Sequence, residues 1–350
     1  MAATQVRHSV RRAARAVAAT LLALAATAAA AADGEPPLVP SAGPGVRSLS
    51  VRLDNDSFTI RPHDDRWYTS GFELRWVSEA AADSGAARVA GLFCGLAGCA
   101  PGAHAYRLAS LVHRMYNPSD SDRTEPDPLD RPYAAWLALG LGALVREPDA
   151  AHRLELRLGV TGPAALGEPV QNAVHRALGL DETMGWGRQI RPRLGLQLGW
   201  ASLGLHRWLP GRLDWTHRIG AEAGTLQAAA HAGALLRWGR PPEGPTWPGE
   251  PYGGRSDAEA GGRWHLYVGA EGRAIGRDRL IDGPAYGYEP RVRREPFVGD
   301  LFAGAALRLS PAWWFEFAMT MRSVDFEVLE PIEAALRPQR FGSVLLRWTP

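Results

Sequence analysis

Apolar and polar side chains alternate along most of this chain. In Arg153–Leu158 (RLELRL) every second residue is leucine and the others are charged. From Trp313 to Arg322, Trp313, Phe315, Phe317, Met319 and Met321 share one face, while Glu316, Thr320 and Arg322 share the other. Leu194, Leu196, Leu198 and Trp200 alternate with Gly195, Gln197 and Gly199. A period of two marks a strand with one face in an apolar medium. Such segments recur at residues 46–54, 67–77, 104–115, 132–143, 152–160, 193–203, 212–223, 225–238, 263–272, 298–309, 312–322 and 341–348. A soluble β-sandwich also alternates in this way, with one face on its core. Twelve segments near ten residues each, an even number that leaves both chain ends on one side, fit an outer-membrane barrel better. The pattern predicts an all-β fold, a 12-stranded antiparallel transmembrane β-barrel. Its last strand, FGSVLLRW (341–348), resembles the aromatic-ended strand that barrel-assembly machinery recognises, with Thr349 and Pro350 following the aromatic.

One stretch breaks the alternation. Residues 162–189 (GPAALGEPVQNAVHRALGLDETMGWGRQ) read as a short helix in a loop. Pro169 suits a first helical turn, where its missing N–H costs nothing. The run Val170–Leu180 then puts Val170, Val174, Ala177 and Leu178 on one face and Gln171 and His175 on another. With both ends in the periplasm, loops after odd-numbered strands face outward. Parity alone therefore places Asp54–Asp56 and Asp65–Thr69, Asp127–Arg131, and the His175 helix on the outer rim. Parity also makes 78–103 and 239–262 inward turns, although such turns are normally short.

Composition adds an address and excludes some classes. Residues 1–32 read as a signal peptide: a basic start (His8, Arg11, Arg12, Arg15), an apolar run over 17–29 and an alanine-rich cleavage region. That leaves 33–350 as the barrel domain. A net charge of +2 argues against a nucleic-acid binder. All 39 basic residues are arginine, whose fork suits phosphate. Cys94 and Cys99 fit a local disulfide in an exported protein better than a catalytic thiol. Thirteen Trp and 39 Gly suit an aromatic-girdled barrel.

The candidate chemistry sits in the outward loops. Asn55–Asp56 reads either as a self-bonded turn or as an amide and a carboxylate at an active site. Asp65, Arg66 and Thr69 offer a rim salt bridge and a hydroxyl, and Arg131 in DRPY offers a phosphate clamp. Around His175 there is no zinc spacing of the HExxH or Cys/His kind and no Gly-x-Ser-x-Gly elbow. A Ser–His pair drawing on Ser57, Ser70 or Ser110 stays open. A single His among oxygen ligands suits a general base beside Ca²⁺.

The motifs NDSF, DRWYTSG, DRPYAAW, LELRLGVTGPAALGEPVQNAVHRALG and GWGRQ, in this order, resemble the LpxR-type lipid A deacylases of the Gram-negative outer membrane. The resemblance spans essentially the whole of 33–350. It implies a twelve-stranded barrel that acts on lipid A of the outer leaflet, as a monomer. It also implies Ca²⁺-dependent hydrolysis of the 3′-linked acyloxyacyl ester by a phospholipase-A2-like mechanism. Carried over by matching motif, His175 activates water, with Asn55 and Gln171 beside it at the catalytic site. Arg131 and Thr69 then meet the substrate, and Asp56 together with Asp181 or Glu182 ligates the metal. The chain has no lysine to serve a headgroup contact, so arginine would take that part. Two rival readings remain: a Ser–His outer-membrane phospholipase, and a non-enzymatic porin or adhesin.

Overall fold

The structure is a computed structural model, and it describes residues 38–39, 46–59, 66–100, 103–250, 262–328 and 337–350. The expected signal peptide, and Asp65, lie outside the described residues. Twelve long strands form the wall: β1 (Val46–Asn55), β2 (Trp67–Glu79), β3 (Ala103–Asn117), β4 (Ala134–Arg146), β5 (Ala150–Thr161) and β6 (Leu194–Leu209). The second half comprises β7 (Leu213–Gly224), β8 (Gln227–Arg240), β9 (Trp264–Asp278), β10 (Phe297–Ser310), β11 (Trp313–Arg322) and β12 (Gln339–Trp348). Each pairs antiparallel with its sequence neighbour, and β12 pairs with β1 through Gly342↔Asn55 to Trp348↔Leu49, so the sheet closes without a free edge. Closure satisfies every strand's backbone inside the sheet, which is what a strand in hydrocarbon requires.

The alternation sorts side chains between lumen and lipid. Leu139, Leu141, Leu156, Leu158, Leu196 and Leu198 stand exposed on the outer wall. Trp208, Trp238, Trp264 and Trp313 are exposed at the rim that carries the chain ends, an interfacial girdle. The lumen holds ion pairs: Arg153 with Glu155 and Glu250, Arg237 with Asp214, and Arg322 with Asp300.

Both long inward connections have a structure of their own. Residues 80–102 contain a second helix, α1 (Gly85–Ala97), capped by Ser84 and closed by a Cys94–Cys99 disulfide. A single helix was expected from the sequence, because the alanine-rich stretch of α1 shows no polar face to mark it. The segment 241–250 turns back into the lumen, where Trp247 packs on Phe302 and Glu250 meets Arg75, Arg153 and Arg218. At the other rim Trp67, Ile281, Val292 and Phe326 form a small apolar cap. These side chains and the 241–250 segment narrow the lumen, which keeps a polar cavity of about 240 Å³ lined by Arg52, Glu73, Arg114, Arg157, Glu222 and Arg273 among others.

Candidate active site on the outer wall

The loop-5 helix, α2 (Gly167–Leu178), sits against the outside of the barrel. Gly167 is the point of closest approach: a Cβ there would lie 2.4 Å from Trp186 and 2.8 Å from the Cβ of Ala135 on β4. Met115, Tyr133, Ala135, Ala165 and Trp186 pack together as an apolar cluster outside the wall. The helix enters through Leu166, which is held in the left-handed region at φ 60, and ends in the left-handed Gly179, whose N–H reaches the carbonyls of His175 and Arg176.

The helix's orientation runs against its apparent amphipathicity. Gln171 and Asn172 are buried, while Val170, Val174 and Leu178 are 37%, 49% and 68% exposed. Hydrogen bonds hold it in this pose. Trp186 Nε1 donates to Gln171 Oε1 (2.8 Å), and Asn172 Oδ1 accepts from both Thr183 N (3.0 Å) and Thr183 Oγ1 (2.8 Å). His175 Nδ1 lies 2.5 Å from the Asp181 carbonyl oxygen. A carbonyl can only accept, so Nδ1 is the donor in this pair.

A second polar group tops β1 and β2. Asn55 caps a short 3-10 turn (Asp56–Phe58) by accepting from Ser57 N (2.8 Å), and its Nδ2 donates to Thr69 O (3.1 Å). Both ends of this amide are therefore committed to backbone, which makes Asn55 a frame for its neighbours. Asp56 is 5% exposed and Thr69 3% exposed. Thr69 is the extra residue where the β2–β3 register shifts between Tyr68 and Ser70, and its hydroxyl is buried without a hydrogen-bond partner among the described residues.

The two groups share one rim and one face. Asn55 pairs laterally with Ser70, Ser70 with Met115 and Met115 with Ala135, so one row of the wall leads from Asn55 to the foot of α2. The loops above are tied together. Trp67 Nε1 donates to Asp130 Oδ1 (3.0 Å), linking loop 1 to loop 3, and Met184 N donates to Ser121 O (3.1 Å), linking loop 3 to loop 5.

Other expected site residues sit elsewhere. Arg131 is 1% exposed, stacks 4.0 Å over the Tyr116 ring and is ion-paired with Asp325, so the phosphate clamp expected of it is not presented at the surface. Glu182 is paired through one oxygen with Arg176 at 2.7 Å on the surface. Asp56, Asp181 and Glu182 do not converge as a three-carboxylate cluster. Among the described residues the one His/Cys/acid cluster of that kind is Cys99–Glu147–His152 at the opposite rim, and Cys99 there is in the disulfide. Ser110 points into the lumen, where its hydroxyl donates to Glu155 (2.5 Å), so it cannot serve His175.

Sequence reasoning missed Asn172, Thr183, Trp186 and Asn117. Asn117, at the top of β3, is fully buried with neither amide atom partnered among the described residues. Its only local signal is its place in MYNPSD, where an Asn before Pro reads as a turn.

The closed twelve-stranded sheet and the lipid-facing leucine belt define an outer-membrane β-barrel protein. The profile of the family described as "Outer membrane protein LpxR" matches residues 17–349. The chain belongs to the LpxR family of outer-membrane proteins. Among solved structures it is similar to LpxR from Salmonella typhimurium, with a TM-score of 0.67 and 19% identity over 87% of this chain and 100% of that one. It also resembles the β domain of the Bordetella autotransporter BrkA, with a TM-score of 0.42, 12% identity and coverage of 87% and 98%. Comparison with curated protein sequences gives no match.

Proposed function

We propose that this protein is a lipid A 3′-O-deacylase that hydrolyses an acyloxyacyl ester at the cleft between α2 and the wall. The observation that carries the reading is His175: donation from Nδ1 to the Asp181 carbonyl orients the imidazole on the outer-leaflet side of the wall, with Nε2 as the nitrogen that takes a proton from water. Water loses a proton to Nε2 as its oxygen attacks the ester carbonyl. The imidazolium returns that proton to the departing alkoxide, which releases a free fatty acid and a hydroxyl on the glucosamine. Gln171 positions the base indirectly by holding Trp186, and Asn55 does so for Asp56 and Thr69. The apolar edge of α2 (Val170, Val174, Leu178) faces outward, where acyl chains of a lipid substrate would lie.

The donors at the rim are oxygen atoms: the buried carboxylate of Asp56, the hydroxyl of Thr69, unpartnered among the described residues, and the exposed carboxylate of Asp181. Hard oxygen donors of this kind suit Ca²⁺. Asp56 and Asp181 would hold it, and once bound it would supply polarisation of the ester carbonyl. Glu182, paired through one oxygen with Arg176, is the alternative to Asp181.

The test is the mass of lipid A from outer membranes carrying the protein, with and without EDTA. Loss of the 3′ acyloxyacyl mass that is blocked by EDTA and by His175→Ala is the expected result. Chelator-insensitive hydrolysis inhibited by serine-directed reagents would favour the Ser–His enzyme instead. Unaltered lipid A together with ion conductance would favour a porin.

A further inference from the structure

The outer wall carries a second cleft, at the periplasmic rim. There α1 lies outside β3 and β4, packing Ala87, Ala90 and Cys94 onto Ala103, Ala105 and Val145. Between the first turns of α1 and the wall runs a groove of about 440 Å³ lined by Ala86, Val89, Trp76, Arg107, Leu141 and Leu156 among others. The leucines of this groove continue into the exposed belt of Leu139, Leu158 and Leu196 higher on the same wall. On its outer side α1 shows Leu92, 54% exposed. Whatever fills the groove therefore comes from hydrocarbon on the periplasmic side of the bilayer.

One charged residue stands among these side chains. Arg107 faces outward from β3, opposite Ser78 and Ala143. Its Nε donates to Ser78 Oγ (2.6 Å) and its guanidinium lies 5.1 Å over the Trp76 ring. No carboxylate among the described residues pairs with it. An arginine on the lipid face of a barrel is destabilising at the bilayer midplane and much less so near an interface. An anionic headgroup would turn that cost into a charge-assisted contact. The groove is also entered by the N-terminal turn of α1 (Gly85, Ala86), the end of a helix that favours negative charge.

We propose that this groove holds one glycerophospholipid of the periplasmic leaflet, with an acyl chain between α1 and the leucine wall and its phosphate at Arg107. The occupant follows from three features together: a slot rather than a flat wall, a lipid-facing position, and a guanidinium with no protein counter-charge. The proposal is independent of the deacylase reading, because the two clefts lie at opposite rims.

The test is native mass spectrometry of the full barrel released from micelles containing phosphatidylglycerol. One retained phosphatidylglycerol per barrel is expected. Ala109→Trp, which fills the groove beside Leu141, should remove it, and Arg107→Gln should weaken retention about tenfold, the loss of one charge-assisted contact. Heat-modifiable migration on gels checks that each variant is folded, and Ala86→Trp fills the groove from the helix side should Ala109→Trp fail to assemble. Equal retention by wild type and the filled variants would overturn the proposal, as would a wild-type barrel that emerges lipid-free. Equal retention of diacylglycerol, which has no phosphate, would overturn the part given to Arg107.

Discussion

Two helices lie outside the same stretch of wall, one at each rim, and they bury opposite kinds of residue. α1 presses alanines and a cysteine onto alanines and a valine, and a disulfide closes its end. α2 buries Gln171 and Asn172 and leaves its valines and Leu178 outward. The first is held by apolar contact, which tolerates sliding because it has no direction. The second is held by buried hydrogen bonds to Trp186 and Thr183, which fix an orientation because a buried polar atom without its partner costs about 1–3 kcal/mol. Only the second arrangement suits a base that must point at one bond. The difference is in keeping with the proposed chemistry at α2 and the proposed lipid contact at α1.

The sharpest way to break this comparison is to remove the base. His175→Ala should lower the deacylation rate by ~10²–10⁴-fold while the barrel stays heat-modifiable, whereas Phe93→Ala on α1, whose ring contacts His152, should leave the rate unchanged. Comparable losses from both variants would mean the helices are not functionally distinct. Gly167→Val comes next. Its side chain would collide with Trp186 and Ala135, and overpacking of this kind costs about 1–3 kcal/mol. Lifting α2 should expose loop 5 to protease and cut the rate, and a protected, fully active variant would show that close seating is irrelevant. Gln171→Leu should cost about 1–3 kcal/mol locally by orphaning the Trp186 N–H, read as faster hydrogen exchange in α2 and a fall in kcat larger than any change in KM. The smallest effect on activity belongs to the other rim. Replacing Cys94 and Cys99 together with serine should loosen α1 by about 2 kcal/mol, visible as faster exchange over 85–97, and leave deacylation untouched.

Much of this was legible from the chain. The twelve strands fall where the alternation put them, because lipid on one side and lumen on the other impose a period of two on each strand whatever its neighbours are. Parity then carried His175, Asn55 and Asp56 to one rim, and the hydrogen bonds among loops 1, 3 and 5 are in accord with that. The helix at 167–178 was legible from its prolines and glycines. What it buries was not. Val170, Val174 and Leu178 look like a core face until the medium outside is a bilayer rather than water. Arg131 read as a rim clamp because a local motif does not reveal that Asp325, 194 residues away, will close over it. The turns at 78–103 and 239–262 looked too long because their destinations, the outer wall and the lumen, exist only once the barrel has closed.

The sequence by itself determined the strand count, the topology and the rim on which each polar loop falls, since these follow from periodicity and parity along one chain. The tertiary structure decided which side of α2 faces the wall, that Asn55 is held by backbone, and that Asp325 closes over Arg131. Those outcomes depend on contacts between residues far apart in the chain, and the strength of each depends on what surrounds it, which no local pattern records.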